Sequence, residues 1–146
     1  NSKIIAKEIV TYRNKKKIIS NYDLLDAIRN ISEKKLSYKF LSKLYQAIRI
    51  EVNDEINSLK EILRKSVEFL NSSGRLVVIS YHSIEDRLVK NFINKSSFDS
   101  DFKKDLYGKK IEFFKRINKK PIVPSEEEKK NNSRSRSAKL RIGERL

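Results

Sequence analysis

The chain of 146 residues has no cysteine, no methionine and no tryptophan, and only one histidine, two prolines and three glycines. The absence of cysteine excludes a disulfide framework, a thiolate zinc site and a cysteine nucleophile, and it fits a reducing compartment. The three glycines, Gly74, Gly108 and Gly143, are too few and too scattered for a phosphate-binding P-loop or a G-x-G-x-x-G turn. The longest charge-free apolar run is Leu76 to Tyr81, far short of the roughly 20 residues that a membrane-spanning helix needs. The first residues mix Lys and Glu with Ile, which is no signal peptide. The chain opens on Asn1-Ser2-Lys3 and not on Met. It is therefore expected to be a processed product, a trimmed chain or a fragment of a longer protein, with part of any active site outside it.

What is abundant is positive charge. Lys plus Arg number 34 and Asp plus Glu 19, a net charge of +15 with His82 neutral. Such a surface attracts phosphate backbones through counterion release. The plainer alternative is a soluble basic domain. Lys, Asn and Ile are frequent while Ala and Gly are few, a bias of low-GC genomes that accounts for part of the lysine excess. The length suits one domain and allows a real core.

Ile4, Ile5, Ile9 and Tyr12 recur at helical spacing, and the segment ends in Lys15-Lys16-Lys17, cations that suit a helix C-terminus. Ser20-Asn21-Tyr22-Asp23 is a helix start signal before Leu24, Leu25, Ile28 and Ile31. From Leu36 to Leu70 the apolar stripe predicts one long helix, or two broken near Asn53-Asp54, closed by Asn71-Ser72-Ser73-Gly74. At Arg75 the pattern changes. Leu76 to Tyr81 reads as a strand buried on both faces, as in a parallel sheet. His82-Ser83 follows, then Ile84, Leu88, Val89, Phe92 and Ile93 at helical spacing, an α/β signature. Ile111 to Ile117 predicts a second strand, Pro121 to Pro124 an extended segment, Ser125 to Glu128 a capping box, and Ala138 to Glu144 a last strand. Residues 1–70 are thus expected to be helical, and 71–146 to supply strands and a helix that ask for further strands as neighbours.

His82 is expected at the carboxyl end of the buried strand, where open α/β sheets place their ligands. It is a candidate for proton transfer or substrate orientation; the alternative is a turn residue bonded to a backbone group. Ser83 and Asp86 have capping-box spacing, which outweighs Ser83 as a nucleophile because no base is evident. No metal site is expected, since the adjacent carboxylates of Glu85 and Asp86 face different directions. Three clusters can meet phosphates: Arg87 with Lys90; Arg134, Arg136, Lys139 and Arg141; and Lys115, Arg116, Lys119 and Lys120. Phe113, Phe114 and Tyr107, near the third cluster, are candidates for stacking on bases, with core packing the stronger reading for the two phenylalanines.

The stretch Gly74-Arg75-Leu76-Val77-Val78-Ile79-Ser80-Tyr81-His82-Ser83-Ile84-Glu85-Asp86-Arg87-Leu88-Val89-Lys90 resembles the signature of the bacterial ribosomal RNA small subunit methyltransferase H family, the 16S rRNA cytosine-N4 methyltransferases. Gln46 to Ile56, Lys120 to Glu128 and Ser133 to Ile142 resemble three further segments of that family in the right order, so the resemblance covers essentially the whole chain. Two stretches depart from the family pattern. Lys39 to Lys43 stands where His-Pro-Ala-Thr-Arg is common, and Asn132 to Ser137 where Asn-Pro-Arg-Ala-Arg-Ser is common.

The resemblance implies the C-terminal half of a protein about twice as long. The fold expected is α/β: the C-terminal part of a class I S-adenosylmethionine-dependent methyltransferase sheet (residues 71–146) plus part of a mostly helical inserted substrate-recognition domain (residues 1–70). It implies methyl transfer from S-adenosylmethionine to the N4 amine of a cytidine in 16S rRNA, with the cofactor site mainly in the other half and no cofactor-binding residue here. His82 and Ser83 would face the target base. Arg49, Asn53, Arg87, Lys90, Arg134, Arg136 and Lys139 would contact RNA. The partner implied is 16S rRNA or the small ribosomal subunit, in the cytoplasm, without membrane or metal, and the fragment alone is expected to be inactive. The alternative is a non-catalytic basic RNA-binding or ribosome-associated protein.

Overall fold

A computed structural model describes residues 2–31, 37–99 and 102–146. The chain forms two compact units, Asn1–Asn53 and Asp54–Leu146. Among the described residues no helix is long and apolar enough to cross a membrane.

The first unit is helical: α1 (Ser2–Lys15), α2 (Asn21–Ile28) with a 3-10 turn (Arg29–Ile31), and α3 (Tyr38–Val52). The predicted start at Ser20 is realised as a full capping box. Ser20 Oγ accepts from the Asp23 amide, and the Asp23 carboxylate accepts from the Ser20 amide at 3.0 Å. Lys16 Nζ also donates to Asp23 at 2.7 Å. That hydrogen bond, with the one the Ser20 hydroxyl donates to Asp23 Oδ2 at 2.7 Å, holds the Asp23 carboxyl well below the usual carboxylate range. Leu24, Ala27 and Ile28 are buried on the inner face of α2. The predicted break near Asn53-Asp54 is present: α3 ends at Val52, and Asp54 takes a left-handed backbone with φ 50° before the next helix.

The second unit holds α4 (Glu55–Phe69), β1 (Arg75–Ser80), α5 (Ser83–Lys95), β2 (Phe114–Arg116), α6 (Glu126–Asn131), a 3-10 turn (Ser133–Ser137) and β3 (Lys139–Arg145). The boundary between the two units falls at Asn53, and within the second unit α4 packs on α5 and the sheet. The core joins Leu63 of α4, Val89, Phe92 and Ile93 of α5, and Phe114 of β2. Phe92 stacks on Phe98 with ring centroids 5.0 Å apart and meets Phe113 and Phe114 at 6.2 and 6.0 Å. Core packing therefore claims both phenylalanines that the sequence offered as stacking candidates.

The sheet has the order β1-β3-β2, and both pairings are antiparallel. The expectation that Leu76 to Tyr81 is buried on both faces does not hold in this chain. Leu76 and Val78 pack on the core, while Val77 and Ile79 on the opposite face are 54% and 53% exposed. Strand alternation places Leu76 and Val78 on one side and Val77 and Ile79 on the other, and no described element covers the second side. The second predicted strand shrinks to Phe114–Arg116, because Phe113 turns its amide to Ser96 Oγ at 2.7 Å instead of to a strand.

Gly143 on β3 sits where the sheet meets α5. A Cβ there would lie 3.2 Å from Ile93 Cγ2 and 3.2 Å from Phe114 Cβ. Gly143→Ala is expected to cost about 1–2 kcal/mol of stability through overpacking, read as a lowered urea midpoint with unchanged slope.

Candidate functional site

The carboxyl end of β1 and the start of α5 meet at Tyr81-His82-Ser83. The helix is capped one residue earlier than expected. His82, with extended φ −137° and ψ 162°, is the N-cap, and its Nδ1 accepts from the Glu85 amide at 3.4 Å. Glu85 Oε2 accepts in return from the amides of Tyr81 (3.0 Å) and His82 (3.4 Å). Ser83 is therefore the first helical residue, exposed, and not the cap. Asp86 cannot serve the predicted box because Arg141 engages its carboxylate.

His82 has a side chain only 12% exposed. Among the described residues its buried Nε2 has no hydrogen-bond partner, though Glu85 Oε1 lies 3.2 Å away, off the line of a good bond. Glu55, at the start of α4, completes a cluster in which Glu55, His82 and Glu85 bring donor atoms within 4.8 Å of one another. Two carboxylates and an imidazole are a set that a divalent cation can use. The hydrogen bonding argues against that use here. With Nδ1 accepting from an amide, a neutral ring carries its proton on Nε2, the nitrogen nearest Glu85 Oε1. Glu85 meanwhile spends Oε2 on the two backbone amides.

Behind this turn Asp86 is anchored to β3. Arg141 donates from Nε to Asp86 Oδ1 at 2.7 Å and from Nη2 to Oδ2 at 3.2 Å, and Lys139 Nζ lies 3.3 Å from Oδ2. Burial alone would raise the Asp86 pKa. The Arg141 hydrogen bonds and charge, aided by Lys139, outweigh it and hold the carboxyl below its ordinary value. Arg141, which the sequence grouped with the phosphate-binding cations, is 8% exposed and committed to this pair.

The register Ser80↔Lys139 sets the end of β1 beside the start of β3. His82-Ser83 and the 3-10 turn Ser133–Ser137 therefore share one end of the sheet. Arg134 and Arg136 are exposed on that turn, and Arg87 and Lys90 are exposed along α5. Lys139 is partly drawn to Asp86, with its side chain still 40% exposed. Arg49 and Asn53 lie in the other unit, on the last turn of α3 and at its C-cap. The sequence missed Glu55 as a neighbour of His82, since the two are far apart in the chain and only the packing of α4 brings them together.

The three glycines lie apart in the fold: Gly74 against Asn71 O, where a Cβ would be 2.8 Å away, Gly143 in the sheet, and Gly108 in a turn with φ 78°.

A family model described as the MraW methylase family matches residues 1–146. The chain is similar to "Ribosomal RNA small subunit methyltransferase H" of Amoebophilus asiaticus, 49% identical over 141 residues, which are 97% of this chain and 46% of that protein. The protein of the same name from Parabacteroides distasonis is 47% identical over 145 residues, 99% of this chain and 48% of its own length. That of Karelsulcia muelleri is 48% identical over 145 residues, again 99% and 48%. The chain spans about half the length of the curated relatives it matches.

Proposed function

This chain belongs to the MraW methylase family, and on that premise we propose that the full-length protein is a cytoplasmic S-adenosylmethionine-dependent methyltransferase acting on the N4 amine of a cytidine in 16S rRNA. The observation that carries the reading is identity of 47–49% across nearly all of this chain with proteins named as small-subunit rRNA methyltransferases. In this reading the helices before the sheet are part of an inserted substrate-recognition domain. Residues 71–146 are the last strands and helix of a class I methyltransferase domain, with α4 packed upon it. The cofactor would be held by the half of the relatives' length that this chain does not span, and it supplies the methyl group.

The chain's own residues would receive the RNA. The cytosine amine is a poor nucleophile because its lone pair is delocalised into the ring, so orientation and exclusion of water dominate its reactivity. The target base must also leave any stack to be reached. Ser83, exposed at the start of α5, would offer its hydroxyl to the base. His82 would face it from the same turn, its ring fixed by the box with Glu85. Arg87, Lys90, Arg134, Arg136 and Lys139 around that end of the sheet would hold phosphates, and Arg49 and Asn53 would contact RNA from the helical unit.

The test is transfer of labelled methyl from S-adenosylmethionine to unmethylated small subunits by the full-length protein, with the modified nucleoside identified by mass spectrometry. N4-methylated cytidine is the expected product. Label in another nucleoside, or none, refutes the reading. The double variant Arg134→Ala, Arg136→Ala is expected to weaken RNA binding uniformly across sequences and to reduce the salt slope by about two. An unchanged slope removes these arginines from the phosphate contacts.

A further inference from the structure

The segment between α5 and β2 carries a feature that the proposed chemistry leaves unused. Residues 103–111 form a tight hairpin. Ile111 N donates to Lys103 O at 2.9 Å, Lys104 pairs with Lys110, and Asp105 N donates to Lys109 O at 2.9 Å. The tip is fixed by one carboxylate: Asp105 Oδ1 accepts from the amides of Tyr107 (2.9 Å) and Lys109 (2.8 Å). Gly108, at φ 78°, supplies the left-handed residue that the turn requires. The base is pinned as well. Lys110 lies over the Phe102 ring at 4.2 Å, Lys103 lies over Phe113 at 5.0 Å, and the Lys103 amide donates to Lys95 O at 3.1 Å.

All this order serves to present two apolar side chains to solvent. Leu106 is 100% exposed and Tyr107 95% exposed. Four lysines, at 103, 104, 109 and 110, surround them, with Asp105 the one acid between, a local charge of 4 − 1 = +3. Asp105 Oδ1 accepts from the turn's own amides, and its single charge is outnumbered by the four lysines.

We propose that this hairpin is an RNA-stacking finger, in which Tyr107 stacks on an unpaired nucleobase of the substrate RNA while Lys104 and Lys109 neutralise the flanking phosphates. An exposed aromatic on a hydrogen-bonded turn, ringed by cations, is the combination that single-stranded nucleic acid rewards: the ring offers a face to any base and the ammonium groups track the backbone. The inference deepens the rRNA reading above and rests on it for the identity of the RNA.

The experiment uses the full-length protein and a fragment of small-subunit rRNA, with affinity read by fluorescence anisotropy at several salt concentrations and methyl transfer measured separately. Tyr107→Ala is expected to weaken binding roughly tenfold, within the range of one lost base stack, with no change in melting temperature because the residue is 95% exposed. Tyr107→Trp is expected to restore it. Lys104→Ala with Lys109→Ala is expected to flatten the salt slope by about two.

If wild type binds the RNA and Tyr107→Ala binds as tightly, the finger is overturned while the methyltransferase reading stands. If binding depends on Tyr107 but no methyl group is transferred, the finger stands and the methyltransferase reading falls. Wild type that does not bind the RNA overturns both. Tyr107-dependent retention on anionic vesicles with unchanged RNA affinity assigns the tip to a membrane surface and overturns the proposal.

Discussion

Asp86→Ala is expected to lower the unfolding free energy of the full-length protein by about 3–5 kcal/mol, the range for removing one partner of a buried ion pair. The loss comes less from the missing attraction than from what is left behind. Arg141 would remain 8% exposed, with the Nε and Nη2 donors that now bond Asp86 facing no acceptor. The pair ties the first turn of α5 to the middle of β3, so the turn bearing His82 and Ser83 loosens with it. Replacing both members, Asp86→Leu with Arg141→Met, is expected to recover most of the loss, because a packed apolar pair strands no charge. Urea denaturation of the two singles and the double closes the cycle. Additive losses would show that the residues do not act as a pair.

The same pair gives a pH signature with a definite sign. The Asp86 carboxyl is held below its ordinary value. Its contribution is therefore in full force above the unfolded carboxylate pKa of about 3.9 and is lost as pH falls through the lower folded value. The difference in stability between wild type and Asp86→Ala is expected to narrow below pH about 4 and to be constant near neutrality.

Ile79→Asp is the second large effect. In this chain Ile79 is half-exposed, across from Leu140 of β3, with Val77 and its partner Ile142 beside them on the uncovered side of the sheet. β1 also pairs on one side only among the described residues. If the longer protein continues the sheet and packs helices on its other side, as a class I methyltransferase domain would, that face is core. The substitution then forfeits about 1.5–3 kcal/mol of apolar burial and adds the cost of a desolvated carboxylate, which together exceed about 4 kcal/mol. The control is Leu106→Asp in the same full-length protein, at a wholly exposed position, where a change within about 0.5 kcal/mol is expected. Equal, small shifts of the two urea midpoints would mean that this face stays open to water in the whole protein and would count against the continued sheet.

These cases show where the sequence was legible. Local signals translated directly: Ser20 and Asp23 make the box that their spacing predicts, Ser125 accepts from the Glu128 amide at the start of α6, and the helix breaks at Asp54. The apolar run Leu76 to Tyr81 predicts the strand that Arg75–Ser80 forms, but not the open face that Val77 and Ile79 present in this chain, because composition does not say which side of a strand is covered. Ser is the commoner cap, so the sequence points to Ser83, one residue past the cap that forms at His82. The partner that a Ser83 box needs, Asp86, is bonded to Arg141, a contact no local pattern reveals. Arg141 shows the same limit from the other side. As one cation in a row of cations, nothing local distinguished it from Arg134 and Arg136, and only the fold buries it.

The order of the strands has a consequence for how the protein is made. β3 lies between β1 and β2, yet it follows both in the chain, with 59 residues separating Ser80 from Lys139. During synthesis β1 emerges as an apolar strand with its β3 partner still untranslated, and β2 must wait for the same partner. Pairing of this kind is non-local, hence slow, and it leaves hydrophobic edges open in the interval. A ribosome stalled before Lys139 would hold a nascent chain in which β1 and β2 still lack the strand that joins them, a species suited to chaperone capture. Completion of the last seven-residue strand would close both ladders in one event.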